Sequence, residues 1–150
     1  MVLEELGDPV STVRVSQRVI EIWERSGDDA RIVAGWMIRQ GLAFSELGQF
    51  EKSAQAFESS FNRYEGRDSG SPESASSLVL LGLAYRQLGD LEKSQLTLNR
   101  GARVFVERVP DGDVEWRRDK IQSLLDDPEY EAEFLSLLSD FYEQGAANTR

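Results

Sequence analysis

The sequence predicts an all-α protein built from stacked antiparallel helix hairpins, that is, a helical solenoid. The first observation is an internal repeat: residues 41–53 read GLAFSELGQFEKS, and residues 82–94 read GLAYRQLGDLEKS, 41 residues later. A fixed offset of this size is typical of stacked supersecondary units. The second observation is periodicity, because apolar residues recur at spacings of three and four and long alternating runs of β-branched residues are absent.

The first three predicted helices are separated by glycines. Pro9 lies near the start of the first helix, and Gly27 lies past its end. The second helix stops at Gly48 and the third stops at Gly66, where glycine is available for a left-handed C-terminal cap. These signals predict helices over about residues 10–25, 29–47 and 50–64.

The last four predicted helices are bounded mainly by prolines and capping residues. Ser71 is a candidate cap for the fourth helix, which ends at Gly89, and Pro110 follows the fifth. Asp127 followed by Pro128 is a cap with proline at the first helical position, which predicts the start of a seventh helix. The four helices are predicted over about residues 72–88, 91–108, 113–125 and 128–144.

Small and large residues occupy equivalent positions in the two copies of the repeat. Gly41 and Gly82 lie in helix interiors, where glycine costs about 1 kcal/mol relative to alanine, so we expect a partner helix to approach closely there. Ser53 and Ser94 are expected as small residues at the same crossings. Phe50 and Leu91 are expected to plug the hairpins. The residues expected in one continuous interior are Trp23, Phe57, Phe61, Tyr64, Leu98 and Phe105.

This pattern resembles the tetratricopeptide repeat. The positions that match the family motif are Gly41, Phe44, Ser53 and Phe57 in one copy, and Gly82, Tyr85, Ser94 and Leu98 in the next. Met37 and Leu78 replace the usual tryptophan, and the period exceeds the typical length of about 34 residues. The longer period is similar to that of kinesin light chain repeats. The resemblance implies a right-handed solenoid and a module for binding other proteins.

A single domain over residues 1–150 is expected, with parts that differ in charge. The expected parts are an N-terminal half-repeat (1–33), two repeats (34–74 and 75–110), a degenerate acidic helical pair or cap (111–144) and a frayed tail (145–150). The net charge is −10, of which residues 111–150 carry −7. The acids around Asp127 are best explained by a helix N-terminus, which attracts negative charge.

Composition argues against several function classes. The chain has no cysteine and no histidine, which removes thiol catalysis, zinc sites built on sulfur or imidazole, and the usual general base. The acidic balance disfavours nucleic acid, whose phosphates demand a basic surface. No apolar run is long enough to span a membrane, and the first ten residues lack a secretory pattern. We therefore expect a cytoplasmic, non-enzymatic protein without a cofactor or metal.

The resemblance places the first helix of each hairpin along a concave groove. The groove residues it implies are Ile38, Leu42, Ser45, Val79, Leu83, Arg86, Lys120 and Leu124. Most of them are apolar, which favours an apolar peptide or an amphipathic helix as the ligand. In the alternative interpretation, the seventh helix folds back and fills the groove.

A row of basic residues is the second candidate binding site. Lys93, Arg100 and Arg103, with Arg108 nearby, are predicted on the fifth helix. They are candidates for docking an acidic partner or the acidic C-terminal region of a second copy, although a solvated helix face explains them as well.

Three functions remain open on the sequence alone. The leading hypothesis is an adaptor or scaffold that binds a peptide or amphipathic helix of another protein. The second is a structural protein that forms homo-oligomers, with its groove filled by its own C-terminal helix. The third is a regulatory domain that senses a peptide.

Overall fold

The structure, a computed structural model, describes residues 8–27, 30–67 and 71–148. Within these ranges the chain forms seven α-helices and one short 3-10 helix, and no strand occurs there. The helices are α1 (Pro9–Ser26), α2 (Ala30–Glu46), α3 (Phe50–Arg67), α4 (Glu73–Gln87), α5 (Leu91–Arg108), the 3-10 helix (Asp111–Asp113), α6 (Val114–Gln122) and α7 (Pro128–Asn148). The all-α prediction is confirmed.

The pattern of contacts between residues divides the chain into two compact units, Met1–Ser69 and Gly70–Arg150. In unit 1, helix α1 packs on α2, and α2 pairs with α3 as the first hairpin. In unit 2, helices α4 and α5 form the second hairpin, and α7 packs on α5. The single domain expected over residues 1–150 stays a prediction.

Three predicted helix ends differ from those observed. Helix α3 continues through Gly66 to Arg67, since one glycine within a helix costs only about 1 kcal/mol. Helix α6 stops at Gln122, because the next residues form tight turns in which the Leu125 N–H donates to the Gln122 carbonyl at 3.1 Å. Helix α7 extends to Asn148, whereas the sequence predicted its end near residue 144, and the frayed tail over residues 145–150 stays a prediction.

Both hairpins turn through a glycine in the left-handed region, as predicted. The backbone φ is 74° at Gly48 and 85° at Gly89. In the first turn, the N–H of Gln49 donates to the carbonyl of Phe44 at 2.9 Å, and the same hydrogen bond recurs at the equivalent residues of the second turn. These bonds satisfy carbonyls that the helix end leaves unpaired.

The crossing of α2 and α3 depends on Gly41. A β-carbon at Gly41 would lie 2.6 Å from Cε1 of Phe57, whose ring is buried against it. The buried hydroxyl of Ser60 donates to the carbonyl of Ala34 at 2.9 Å and links the same two helices. The expected close approach at Gly41 is therefore confirmed.

The crossing of α4 and α5 is close at the equivalent glycine. A β-carbon at Gly82 would lie 3.2 Å from the carbonyl oxygen of Ser94 and 3.3 Å from the nitrogen of Leu98. Farther along, a β-carbon at Gly101 would lie 3.0 Å from Cγ2 of Val79. Because backbone atoms define this contact, it leaves little room for adjustment.

Tyr130, in the first turn of α7, reaches the same crossing. Its side chain is fully buried, and its hydroxyl touches the space beside Gly82 and donates to the carbonyl of Val79 at 2.5 Å. One turn farther along α7, the ring of Phe134 packs edge-on against Phe105, with centroids 6.0 Å apart. Helix α7 is therefore part of the core of unit 2. Burial raises the pKa of the Tyr130 phenol well above its usual value.

Most of the residues predicted in the interior are buried in their units. The buried ones are Phe57, Phe61, Tyr64, Leu98 and Phe105. Trp23 is only half-buried. Leu91 is 62% exposed, so the prediction that it plugs the second hairpin is wrong. It opens α5 directly after the turn, where the described part of unit 2 places nothing over it.

Replacing Gly82 by alanine is expected to destabilise unit 2 by about 1–3 kcal/mol, because the new methyl group overpacks the crossing. The matched control is Gly35→Ala in α2, where a β-carbon meets no atom within 4 Å. That change should stabilise by up to about 1 kcal/mol through helix propensity alone. Urea titration followed by circular dichroism measures both, and an equal effect of the two substitutions would contradict the close crossing.

The buried phenol of Tyr130 predicts a loss of stability at alkaline pH. Its pKa is raised in the folded protein, so its contribution is present below the unfolded pKa of about 10 and is lost as the pH rises beyond it. Tyr130→Phe removes the hydrogen bond to Val79 and should cost about 0.5–1.5 kcal/mol at neutral pH.

An ordinary tyrosine has a pKa of about 10, so the relevant range is about pH 9 to 11. Over this range the difference in unfolding free energy between the wild type and Tyr130→Phe should shrink, because only the wild type loses the contribution of the buried phenol. Urea titrations at each pH measure this difference, and a constant difference for Tyr130→Phe would show that the phenol titrates alike in both states.

Candidate functional site

The groove residues predicted in unit 1 lie on one face of α2. Ile38, Leu42 and Ser45 follow one another at spacings of four and three, and each is half-buried. The face they form is therefore partly accessible.

The groove residues predicted in α4 are in a different environment. Val79 and Leu83 are buried, and Val79 lies against α5 at Gly101 while its carbonyl accepts the Tyr130 hydrogen bond. An apolar floor for a partner needs exposed side chains. In this conformation these two side chains belong to the interior, because α5 and α7 pack close to them.

Arg86 was expected at the groove edge, and the structure places it in an ion pair with the start of α7. Its Nε donates to Oδ2 of Asp127 at 2.9 Å, and its Nη2 donates to Oε2 of Glu129 at 2.9 Å. The other carboxylate oxygen of Asp127 accepts the backbone N–H groups of Glu129 and Tyr130, both at 3.1 Å. The Tyr130 N–H and the Arg86 guanidinium hold the pKa of Asp127 below its usual value.

Lys120 and Leu124 do not form the first helix of a third hairpin. Lys120 is exposed near the end of α6, with its Nζ 5.2 Å from the ring centroid of Trp116. Leu124 lies beyond the end of α6 and is half-buried. The 41-residue offset fails here because the short helix α6 precedes the helix that packs on the second hairpin.

The predicted basic row is present on α5, and two of its cations rest on aromatic rings. Lys93, Arg100 and Arg103 are exposed, and Arg108 is half-buried. The Nζ of Lys93 lies 4.9 Å from the centroid of the Tyr85 ring. The guanidinium of Arg103 lies 4.3 Å from the Phe141 ring of α7. Such contacts hold a cation in place while leaving its charge at the surface.

A cleft in unit 1 is the site that sequence reasoning missed. It has a volume of about 600 Å³ and lies among α1, α2 and α3. The residues that line it are Val10, Val13, Gln17, Met37, Gln40, Phe44, Leu47, Gln49, Lys52, Gln55, Ala56 and Ser59. The α2 residues among them lie beside the predicted groove face. A glutamine on each of the three lining helices was the signal available in the sequence. Whether these glutamines surround a cleft depends on how far α1 covers the hairpin, which the sequence does not give.

The cleft combines apolar walls with unpaired amides and one charge. Within the described residues, the side-chain amides of Gln17, Gln40, Gln49 and Gln55 have no hydrogen-bond partner. Lys52 is the charged residue of the lining, and its Nζ lies 5.8 Å from the ring centroid of Phe44. The cleft can therefore take up an apolar group and offer hydrogen bonds around it.

The described part of the chain contains neither a cluster of metal-binding side chains nor a candidate membrane span. No group of three or more acidic side chains there is arranged to hold a metal ion. None of the helices there is both long and apolar enough to cross a membrane.

Comparison with known proteins identifies the second hairpin. Residues 75–104 match the family model of the tetratricopeptide repeat, and this range covers α4 and most of α5. It begins at residue 75, which makes Gly82 the eighth residue of the repeat, the position at which the family motif has glycine. No curated protein is similar enough to the chain to be matched. The second hairpin is therefore a tetratricopeptide repeat, and the first hairpin repeats it in sequence, turn and helix crossing.

Proposed function

We propose that the protein is a non-enzymatic adaptor that binds an extended segment of another protein in the cleft of unit 1. Tetratricopeptide repeats generally mediate contacts between proteins. The observation that carries the proposal is the cleft itself, an open concavity with apolar walls and unpaired amides at its rim.

The apolar walls suit one or two anchoring side chains. Met37 and Phe44 are buried beneath the cleft, and Val13 and Leu47 flank them as half-buried walls. A volume of about 600 Å³ is within the usual range for ligand pockets. Burial of an apolar anchor there contributes about 25 cal/mol for each Å² removed from water.

The glutamines favour an extended segment over a helix. Each amide offers donors and an acceptor, which is the pairing that a peptide main chain requires. An extended segment leaves its N–H and C=O groups unpaired, whereas a helix satisfies them internally. Lys52 adds a positive charge, so a segment with an acidic residue or a terminal carboxylate beside its apolar anchor fits best.

The predicted groove face is the second candidate position for the partner. Ile38, Leu42 and Ser45 are half-buried on the neighbouring face of α2 and would suit an amphipathic helix. The two faces are separable by mutation, because Leu42 does not line the cleft.

Peptides selected from a random display library against the full chain test the proposal. We expect the enriched peptides to carry an apolar residue next to an acidic group. Gln55→Trp, which fills the cleft from an exposed position of α3, should weaken their binding by at least about tenfold. Lys52→Glu should weaken the acidic peptides in particular. Anisotropy titrations of the labelled peptides measure both effects.

Two matched variants show whether the cleft is the site. Asn62→Trp adds the same side chain at an exposed position of α3 outside the cleft, and should leave binding unchanged. Leu42→Glu should also leave it unchanged. Loss of binding with Leu42→Glu but not with Gln55→Trp would move the site to the groove face. Peptides that bind equally to all four variants would overturn the proposal.

A further inference from the structure

The second hairpin carries a surface equivalent to the cleft wall of the first. At an offset of 41 residues, the cleft residues Leu47, Lys52, Gln55 and Ser59 correspond to Leu88, Lys93, Leu96 and Arg100. We call the second set the leucine–cation face. The two hairpins share their turns and their close crossings, so the four residues lie on one side of the second hairpin, as their counterparts do in the first.

The lysine of each set lies over an aromatic ring of its own hairpin. The distance is 5.8 Å from Lys52 to Phe44 and 4.9 Å from Lys93 to Tyr85. This shared contact is independent evidence that the two surfaces are equivalent. It also holds the Lys93 ammonium at the surface before any ligand arrives.

The leucine–cation face differs from the cleft in exposing leucines. Leu88 is 41% exposed and Leu96 is 63% exposed. Where the cleft has the polar side chains of Gln55 and Ser59, this face has a leucine and an arginine. Single exposed leucines are common on proteins, but leucines grouped between cations are a feature of interaction surfaces.

The cations form a stripe along α5. Lys93, Leu96, Arg100 and Arg103 are spaced by three, four and three residues, which places them on one side of the helix over about 15 Å. Glu92 and Glu107 lie beside this stripe, but α5 as a whole carries four bases and two acids, so it is net positive in a protein whose net charge is −10. A ligand that matches it carries negative charge on both sides of an apolar row.

We propose that the leucine–cation face docks an acidic amphipathic helix of a partner protein. Unlike the cleft rim, the neighbouring amides of Gln95 and Asn99 are hydrogen-bonded to each other at 3.4 Å. The surface therefore offers little to an extended main chain, whereas a helix needs no such pairing. A helix with leucines at spacings of three and four places them against Leu88 and Leu96, with glutamates toward Lys93 and Arg103.

Two labelled 14-residue peptides serve as probes. Both have leucines along one helical stripe, and the flanking residues are glutamates in the first peptide and lysines in the second. Fluorescence anisotropy with the full chain should show binding of the glutamate peptide at least about tenfold tighter than the lysine peptide. The preference should shrink as salt is raised from 50 mM to about 500 mM, because added ions screen exposed charges.

Two substitutions locate the binding surface. Leu96→Glu should weaken the glutamate peptide by at least about tenfold, because it removes an apolar contact and adds a like charge. Ile22→Glu is the matched control, since Ile22 is 50% exposed on α1 in unit 1, and it should have no effect. Circular dichroism checks that both variants remain folded. Equal effects of the two substitutions, or equal binding of the two peptides, would overturn the proposal.

Other occupants give distinct results. Light scattering that shows a dimer, lost in Leu96→Glu, without binding of the glutamate peptide would assign the face to a second copy and overturn the proposal. Flotation with phosphatidylserine vesicles, again without peptide binding, would assign it to a membrane surface and likewise overturn it. Gln55→Trp should leave the glutamate peptide bound, which separates this site from the cleft.

Discussion

The close contact of two helices at a residue without a side chain is the constraint on which both hairpins depend. At Gly41 the space of the missing side chain is filled by the ring of Phe57, and at Gly82 it is bounded by the backbone of α5 and by the hydroxyl of Tyr130. The first contact is with a side chain, whereas the second is largely with main-chain atoms. The second hairpin therefore tolerates less change, and its crossing also fixes where α7 begins.

Helix α7 is held at its first turn by a small polar network. Asp127 accepts two backbone N–H groups of its own helix and the guanidinium of Arg86, while Tyr130 donates to the carbonyl of Val79. Buried polar groups are costly unless they are paired, so these contacts stabilise α7 as a set rather than singly. These contacts engage two of the predicted groove residues, Arg86 and Val79, with the start of α7.

The repeat made the hairpins predictable, and its failure explains what was not. Gly48 and Gly89 form the same turn, because in each hairpin the turn has to bring two helices into contact at the same positions. After α5 the 41-residue offset no longer applies, because the short helix α6 intervenes. Nothing in the periodicity indicates that Tyr130, rather than Lys120, lies on the helix that packs on the second hairpin. The cleft was not predictable either, because it depends on how much of the first hairpin α1 covers, which periodicity does not determine.

The cleft wall of the first hairpin and the leucine–cation face of the second occupy equivalent positions but differ in their side chains. In both, a lysine lies over an aromatic ring, which keeps a cation beside apolar surface at little entropic cost. Helix α1 turns this side into a cleft in unit 1, and the side chains there are amides that pair with a main chain. At the equivalent positions of unit 2, Leu88 and Leu96 are exposed, and Leu96 replaces the amide of Gln55. A concave polar rim favours an extended chain and an exposed apolar stripe favours a helix, so the two ligands that we propose correspond to the changes from Gln55 to Leu96 and from Ser59 to Arg100.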